Sequence, residues 1–301
     1  GMIDSTWFDK PLSLAGRVLV RENGNIVNKL FNIDKDILMI PNVAIHLNRE
    51  INNGYAYNKQ VDLLPLFSAG ELKKGDFDKM IAKELGVKVE DIVAKDLFLV
   101  NRQRQCIWGY KDEFVSTPKP DDLQCAFTSM KAFLDSNNPK AINVCAVFDN
   151  EEVGSNTKQG AMSTFMKDAL KRINASLGFG TDEYHQAVAK SFLVSCDNAH
   201  AVHPNHPELY DPTNRTFMNK GIVIKEAANQ KYTTDAFSRA VFLEICKKVD
   251  VPTQYFANRS DKVGGSTLGN LSNIQVSLHA LDIGVAQLGM HSSFETCGIK
   301  D

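Results

Sequence analysis

The chain has 301 residues, a length that fits one large domain or two domains of ordinary size. Its composition, with 43% hydrophobic and 23% charged residues, is typical of soluble globular proteins that bury a substantial core. The net charge of −2 gives no electrostatic argument for a nucleic-acid partner. No apolar run approaches the roughly 20 residues that a membrane-spanning helix needs, so no membrane partner is predicted either.

The first residues and the cysteines bear on the cellular compartment. The start, GMIDSTWFDK, lacks the basic and apolar regions of a signal peptide. The six cysteines are scattered and form no CxxC pair, a pattern typical of reduced, buried thiols rather than of disulfides or a zinc–thiolate site. Both features predict a cytoplasmic protein.

Residues 1–106 show the pattern of a β-rich domain. Short apolar runs recur along this part, and clusters of Gly and Asn supply turns between them. One helix is predicted from Asp76 to Leu85, where Phe77 and Ile81 recur at helical spacing. The runs that predict strands are GRVLVR (16–21), ILMI (37–40), VAIHL (43–47) and DLFLV (96–100).

From about residue 107 the pattern changes to alternating helices and strands. Continuous apolar strands separated by amphipathic helices are typical of an α/β fold with a mainly parallel central sheet and helices on both faces. The sequence therefore predicts an α/β domain over residues 107–301. Helices are predicted at 122–135, 159–177, 183–190, 234–249 and 267–276, and strands at 142–148, 191–196, 253–257 and 279–283.

Acidic residues and one histidine lie at the ends of these buried segments. Because ligands of open α/β sheets bind beyond the carboxyl ends of the strands, we expect the five side chains to meet at one edge of the sheet. They are Asp121 before the first helix, Glu151 and Glu152 after the strand at 142–148, Asp197 after the strand at 191–196, and His291 after the last strand.

Such a set has a chemical explanation. Several carboxylates in one crevice cannot all stay ionised without a compensating cation. Oxygen ligands together with an imidazole suit a divalent ion such as Zn²⁺, Mn²⁺ or Co²⁺, and an aspartate can bridge two such ions. Of two adjacent glutamates, one can then bind metal while the other acts as a general base. The joint pattern therefore favours a metal site.

Each residue taken alone also has a structural explanation. Asp121 or Asp122 could cap the helix that follows, since aspartate is a preferred N-cap residue. Adjacent glutamates commonly occupy a solvated turn, and polar residues are common at strand ends. A single histidine such as His291 or His200 is more often structural than catalytic. These alternatives stay open for each position considered by itself.

Eight segments carry a more specific signal and cover nearly the whole chain. They are TWFDKPLSLAGRVLV (6–20), IPNVAIHLNREIN (40–52), PDDLQCAF (120–127), FDNEEVGSNTKQGA (148–161), SCDNAHAVHPN (195–205), NQKYTTDA (229–236), GGSTLGN (264–270) and DIGVAQLGMHSSFE (282–295). In these segments, and in their order, the sequence resembles the M18 family of metallopeptidases, the family of aspartyl aminopeptidase and the vacuolar aminopeptidase. The resemblance implies a zinc-peptidase-like α/β fold.

The resemblance also implies a role for each residue of the acidic set. Asp121 corresponds to the aspartate that bridges two metal ions, and Glu151 corresponds to the general base. Glu152 corresponds to the adjacent metal ligand. Asp197 corresponds to a ligand of one ion, and His291 to the histidine ligand of the other. The implied cofactors are two divalent metal ions, with Zn²⁺ favoured and Mn²⁺ and Co²⁺ left open.

Three further residues receive roles from the resemblance alone. His200, in the AHAVHPN motif, resembles a substrate-contacting histidine, and Lys225 is implied near the acidic side chain of a substrate. His46, in AIHLNR, resembles a histidine that reaches the active site of a neighbouring subunit. Residues 1–106 correspond to the family's lid and oligomerisation domain, and a homo-oligomer, from dimer to dodecamer, is implied.

The implied function is a metal-dependent aminopeptidase that releases the N-terminal residue of peptides by a co-catalytic two-metal mechanism. Asp or Glu is the expected N-terminal residue. Relatives that prefer neutral residues such as Leu leave this preference open. A lone lysine such as Lys225 is more often a surface charge, so it gives little basis for choosing.

The sequence departs from the family pattern at both ends. The family carries its first histidine ligand in an HTDSP-like segment before the TWFD motif, whereas no histidine precedes His46 here. The end at Asp301 also falls short of the family's C terminus. A truncated chain is therefore expected, and the alternative function is a catalytically impaired paralogue that acts as an oligomeric scaffold. The SCDNAHAVHPN and FDNEEVGSNTKQGA segments disfavour a related metallo-aminopeptidase with different connectivity.

Overall fold

The computed structural model describes residues 1–301, which form two compact units. The β-rich unit comprises Met2–Arg104 and Ser292–Phe294, and the α/β unit comprises Gly1, Gln105–His291 and Glu295–Asp301. The chain is a mixed α/β protein with three sheets. None of its helices is both long enough and apolar enough to cross a membrane.

The β-rich unit is built on a three-stranded antiparallel sheet. Its strands are β1 (Ser13–Glu22), β2 (Asn25–Asn32) and β3 (Ile92–Val100), in the order β2-β1-β3. Two helices, α1 (Lys59–Asp62) and α2 (Asp76–Leu85), lie between β2 and β3 in the chain. The helix predicted at 76–85 is therefore confirmed.

Local sequence explains the hairpin of this sheet. Asn23 and Gly24 both have positive φ angles, of 50° and 81°, and Asn-Gly is the dipeptide that such two-residue hairpin turns prefer. Val18 of β1 and Ile81 of α2 are fully buried in the core cluster of this unit. The run at 43–47 was predicted as a strand, but it contains a turn at 45–47 and no strand, because no neighbouring segment pairs with it.

The α/β unit contains nine strands and five helices. The strands are β4 (Cys106–Trp108), β5 (Phe114–Thr117), β6 (Phe192–Cys196), β7 (Ala199–His200), β8 (Ile222–Glu226), β9 (Thr253–Ala257), β10 (His279–Gly284), β11 (Ala286–Leu288) and β12 (Glu295–Gly298). The helices are α3 (Pro120–Asp135), α4 (Phe165–Ser176), α5 (Thr181–Ala189), α6 (Ala236–Lys248) and α7 (Gly269–Gln275).

Two sheets organise this unit. The four-stranded sheet has the order β6-β10-β8-β9, in which β6 and β10 are parallel, β8 and β9 are parallel, and β10 and β8 are antiparallel. The five-stranded sheet has the order β4-β5-β12-β11-β7 and is antiparallel except between β11 and β7. Both sheets are thus mixed. Sequence analysis did not predict β8, the strand that carries Lys225.

Two expectations about apolar segments are wrong. Residues 142–148 were predicted as a buried strand, but they pair with no other strand, and the side chains of Ile142 and Val147 are more than half exposed. The apolar face predicted for α3 is also largely exposed, at Phe127 and Leu134 among others. An apolar pattern shows that a segment can be buried, whereas a strand forms only where a second backbone completes the hydrogen bonds. The remaining predicted helices and strands of the unit are confirmed, with shifted ends.

Gly284, the last residue of β10, permits a close approach of two backbone segments. A Cβ atom on Gly284 would lie 1.9 Å from the carbonyl oxygen of Asp197. The N–H of Asp197 meanwhile donates to the carbonyl oxygen of Ile283 at 2.9 Å. The end of β10 therefore holds the backbone of Asp197 directly after β6, and only glycine fits at this contact.

We predict that Gly284→Ala destabilises the protein by about 1–3 kcal/mol, because the added methyl group forces the two backbones apart. Gly265→Ala is the matched control, since a Cβ atom there meets nothing within 4 Å and the backbone has no positive φ. Urea unfolding curves of both variants measure the difference. Equal midpoints for the two variants would contradict the prediction.

Candidate metal centre

One group of possible metal ligands consists of Asp121, Glu152 and His291. Their ligand atoms all lie within 4.8 Å of one another. The Nε2 atom of His291 is 3.3 Å from Oδ2 of Asp121 and 3.2 Å from Oε1 of Glu152. An imidazole nitrogen and two carboxylate oxygens thus converge, and this is a donor set that suits Zn²⁺.

A second group consists of Asp121, Asp122 and Asp197, whose ligand atoms also lie within 4.8 Å of one another. Asp121 therefore belongs to both groups. A carboxylate shared by two adjacent sets of ligands occupies the position that a bridging ligand takes in two-metal sites.

The backbone before α3 places these two aspartates. Lys119 has a positive φ of 61°, Pro120 follows it, and neither Asp121 nor Asp122 has helical φ and ψ angles. The peptide bond between the two aspartates is cis. Lys119, the residue before α3, forms no side-chain cap. The carboxylates of Asp121 and Asp122 both belong to the group with Asp197.

A tight turn presents Glu151 and Glu152. The two residues begin a short 3-10 turn at Glu151–Val153, which is followed by Gly154 and Ser155 with positive φ angles of 102° and 59°. The N–H of Gly154 donates to the carbonyl oxygen of Glu151 at 2.8 Å. The chain therefore turns back immediately after the two glutamates.

The two glutamates differ in environment. Burial, together with the charges of Asp197 and Glu152, raises the pKa of Glu151 to about 7. The side chain of Glu152 is 48% exposed and contacts His291. Glu151 belongs to neither ligand group. The two adjacent glutamates thus have different surroundings.

Lys225 and Thr267 hold the carboxylate of Asp197. The ammonium of Lys225 lies 3.3 Å from Oδ2 of Asp197, and the hydroxyl of Thr267 donates to the same oxygen at 2.7 Å. Although burial opposes ionisation, Lys225 and Thr267 lower the pKa of Asp197. Burial likewise opposes the charge of Lys225, but Asp197 raises its pKa overall. The two residues therefore form a buried ion pair, in which Lys225 is only 3% exposed.

The remaining carboxylates lack such a partner. Burial raises the pKa of Asp122 to about 8, with a further contribution from the charge of Asp197, and the buried Oδ1 atom of Asp122 has no hydrogen-bond partner. Burial also raises the pKa of Asp121. An excess of buried carboxylates with an unpartnered oxygen is the environment that a divalent cation would stabilise. The residues present therefore fit a metal ion.

The two histidines assigned by resemblance lie in different units. His200, in β7, has its ring centroid 5.8 Å from that of Phe256. The pKa of His200 is lowered, by desolvation first and then by the charges of Lys225 and His291, although the residue is exposed. His46 belongs to the β-rich unit and lies in an exposed turn.

Sequence reasoning missed three residues of this centre. Asp122 was considered only as a helix cap, although its position beside Asp121 was a signal. Glu295 was part of a quoted motif without a role, yet its carboxylate accepts hydrogen bonds from the backbone N–H groups of Asp121 and His291. Thr267 also lay in a quoted motif, GGSTLGN, without a role, because its contact with Asp197 joins residues 70 positions apart.

A family model and several relatives match this chain over nearly its whole length. The model described as aminopeptidase I zinc metalloprotease (M18) matches residues 1–301. The probable M18 family aminopeptidase 2 of Clostridium novyi (strain NT) is 47% identical over 306 residues, which cover 100% of this chain and 71% of the relative. The aspartyl aminopeptidase of Dictyostelium discoideum is 36% identical over 343 residues, which cover 98% of this chain and 70% of the relative.

Solved structures show the same similarity. A chain in the cryo-EM structure of the Ape4 and Nbr1 complex matches with a TM-score of 0.92 at 36% identity, covering 100% of this chain and 62% of that chain. A chain of the S. cerevisiae mApe1 dodecamer matches with a TM-score of 0.82 at 26% identity, covering 100% of this chain and 68% of that chain. The chain thus spans between 62% and 71% of the length of these relatives. Because the family model matches residues 1–301 and the Clostridium relative is 47% identical, this chain belongs to the M18 family of zinc metallo-aminopeptidases.

Proposed function

We propose that this protein hydrolyses the N-terminal peptide bond of peptides with the help of two divalent metal ions. The observation that carries the proposal is the sharing of Asp121 between two groups of ligand atoms, each within 4.8 Å. A single binding group would suit one ion, whereas two groups with a common carboxylate suit a pair. Membership of a zinc metallo-aminopeptidase family supports the same reaction.

The side chains divide between the two ions. His291 and Glu152 would hold one ion and Asp197 the other, while Asp121 would contact both. Zn²⁺ fits the family and the donor atoms, although carboxylate-rich sites also accept Mn²⁺ or Co²⁺. When bound, the ions polarise the scissile carbonyl group and lower the pKa of water.

Glu151 is the proposed general base. It lies beside the ligands but in neither ligand group, so its carboxylate is free to exchange a proton. It would take a proton from the attacking water and deliver it to the departing amine.

We predict that Glu151→Gln, in the full-length protein, lowers kcat by about 10²–10⁴-fold, because the amide cannot accept the proton. Zn²⁺ binding should persist, since Glu151 is not among the proposed ligands. Asp149→Asn is the matched control: this nearby carboxylate is exposed and hydrogen-bonds its neighbour Asn150. Peptide hydrolysis and metal content are measured for both variants, and near-normal turnover of Glu151→Gln would contradict the role as base.

An acidic N-terminal residue is the proposed substrate preference. Its support is the 36% identity to a relative named aspartyl aminopeptidase. His200, beside the acidic group, is proposed to contact the substrate. The contact of Lys225 with an acidic substrate remains a prediction. The ammonium of Lys225 is buried and binds Asp197. We propose that Lys225 acts chiefly by keeping Asp197 ionised.

The full-length protein should hydrolyse Asp- and Glu-anilides faster than Leu-anilide. A chelator should abolish the activity, and added Zn²⁺, Mn²⁺ or Co²⁺ should restore it, because the carboxylates alone cannot polarise the carbonyl group. Initial rates on the three substrates decide the preference, and faster Leu release would overturn it. Metal binding without turnover of any of them would favour the non-catalytic scaffold.

We propose that the β-rich unit is the lid and oligomerisation domain, and that the α/β unit, with its four-stranded sheet at the centre, is the catalytic domain. The S. cerevisiae mApe1 relative forms a dodecamer, which supports a homo-oligomer. In such an assembly the exposed His46 would reach the active site of a neighbouring subunit and hydrogen-bond the developing oxyanion. All six cysteines are free, which supports a reducing, cytoplasmic location.

A mixture of two inactive variants tests the proposed role of His46. His46→Ala and Glu151→Gln subunits should each be nearly inactive alone. Random co-assembly should restore activity at about one quarter of the sites, where an intact Glu151 meets an intact His46 from a neighbour. His185→Ala, which removes an exposed histidine of the α/β unit, should retain activity. A mixture no more active than its components would contradict the contact between subunits.

A further inference from the structure

The carboxylate of Glu295 joins the backbones of two proposed metal ligands. Its Oε2 atom accepts a hydrogen bond from the N–H of Asp121 at 3.0 Å, and its Oε1 atom accepts one from the N–H of His291 at 2.5 Å. Asp121 is 174 residues away in sequence, whereas His291 is four residues away. One side chain thus connects the two ligands whose side chains approach to 3.3 Å.

The burial of the Glu295 carboxylate is unfavourable in itself. Glu295 is 2% exposed, and a buried carboxylate is costly unless strong partners compensate it. No Lys or Arg forms an ion pair with Glu295, and its two hydrogen bonds come from backbone amides. Burial outweighs these bonds and raises its pKa to about 7. The two hydrogen bonds from the backbones of Asp121 and His291 therefore indicate the role of Glu295.

The backbone around Glu295 explains how it reaches both amides. In β12, Glu295 pairs with Thr117 at the end of β5, and the chain continues from Thr117 to Asp121. His291 has a positive φ of 68°, a conformation that is unfavourable for a non-glycine residue and needs support from its surroundings. The hydrogen bond from its N–H to Glu295 provides such support.

We propose that Glu295 is a positioning residue that holds the backbones of Asp121 and His291 at the separation a shared metal ion requires. This inference rests on the proposed function of the site. Glu295 touches neither the ion nor the substrate and acts only through the two ligands. Removal of a group that orients metal ligands typically weakens metal binding by about 10–100-fold.

Glu295→Gln in the full-length protein tests this role. The variant keeps the shape of the side chain, but its NH₂ group replaces one acceptor, so one of the two amides loses its hydrogen bond. We expect the affinity for Zn²⁺, measured by competition with a chromophoric chelator, to fall by about 10–100-fold. The absorption spectrum of the Co²⁺ form should also change, because the ligands at that ion move. Neither readout depends on turnover.

Asp301→Asn is the matched control. Asp301 also accepts a backbone hydrogen bond from a distant segment, from the N–H of Asn219 at 2.7 Å, but it contacts no proposed ligand. Its Zn²⁺ affinity and Co²⁺ spectrum should equal those of the wild type. The thermal stability of both variants is measured without metal, so that a general loss of stability is separated from a loss of metal binding.

The outcomes separate this inference from the proposed function. If the wild type binds no Zn²⁺, the proposed function fails. If the wild type binds Zn²⁺ and Glu295→Gln binds it equally well, only the positioning role of Glu295 is overturned, even if the variant is less stable. If Glu295→Gln does not fold, Glu295→Asp, which keeps the charge but is one methylene shorter, is measured by the same criteria. Failure of both variants to fold would indicate a general structural role and would also overturn the inference.

Discussion

The concentration of carboxylates in one partly buried group is the constraint on which the proposed site depends. Asp121, Asp122, Glu151 and Asp197 lie close enough to affect one another's ionisation, and Lys225 is the one buried ammonium that balances them. Such a group is unfavourable in a protein interior without further positive charge. The fold nevertheless brings these side chains together, which supports the proposal that a cation completes the site.

The protein stabilises its carboxylates in two ways. Asp197 is paired with Lys225 and Thr267 and is therefore ionised before any metal binds. Asp122 and Glu151 have no cationic side chain beside them, and their pKa values are raised into the neutral range. The ionised Asp197 would attract a metal ion, and Glu151, outside both ligand groups, would be free to exchange a proton. The same cluster thus provides both kinds of group.

Sequence reasoning predicted the helices of the α/β unit, the central part of β1 and the presence of Gly and Asn turns, because periodicity and turn residues are local properties. It failed for residues 142–148 and for the apolar face of α3, since local hydrophobicity cannot show whether a partner is present. For the site, the strand-end pattern selected the acidic residues and His291. It could not reveal that Lys225 is paired with Asp197, because that contact joins β8 to the residue that follows β6.

By itself, the sequence determined the chemical types in the site and their order along the chain: carboxylates that adjoin apolar segments, a glutamate pair before a Gly-Ser turn, and a histidine in the last motif. Only the tertiary structure decided that Asp121 is shared by two groups and that Asp197 is paired with a lysine. It also decided that Glu295 accepts hydrogen bonds from the backbones of Asp121 and His291. The physical reason is that ionisation and positioning depend on distances in space. The contact of Glu295 with Asp121, across 174 residues, has no counterpart in any local pattern.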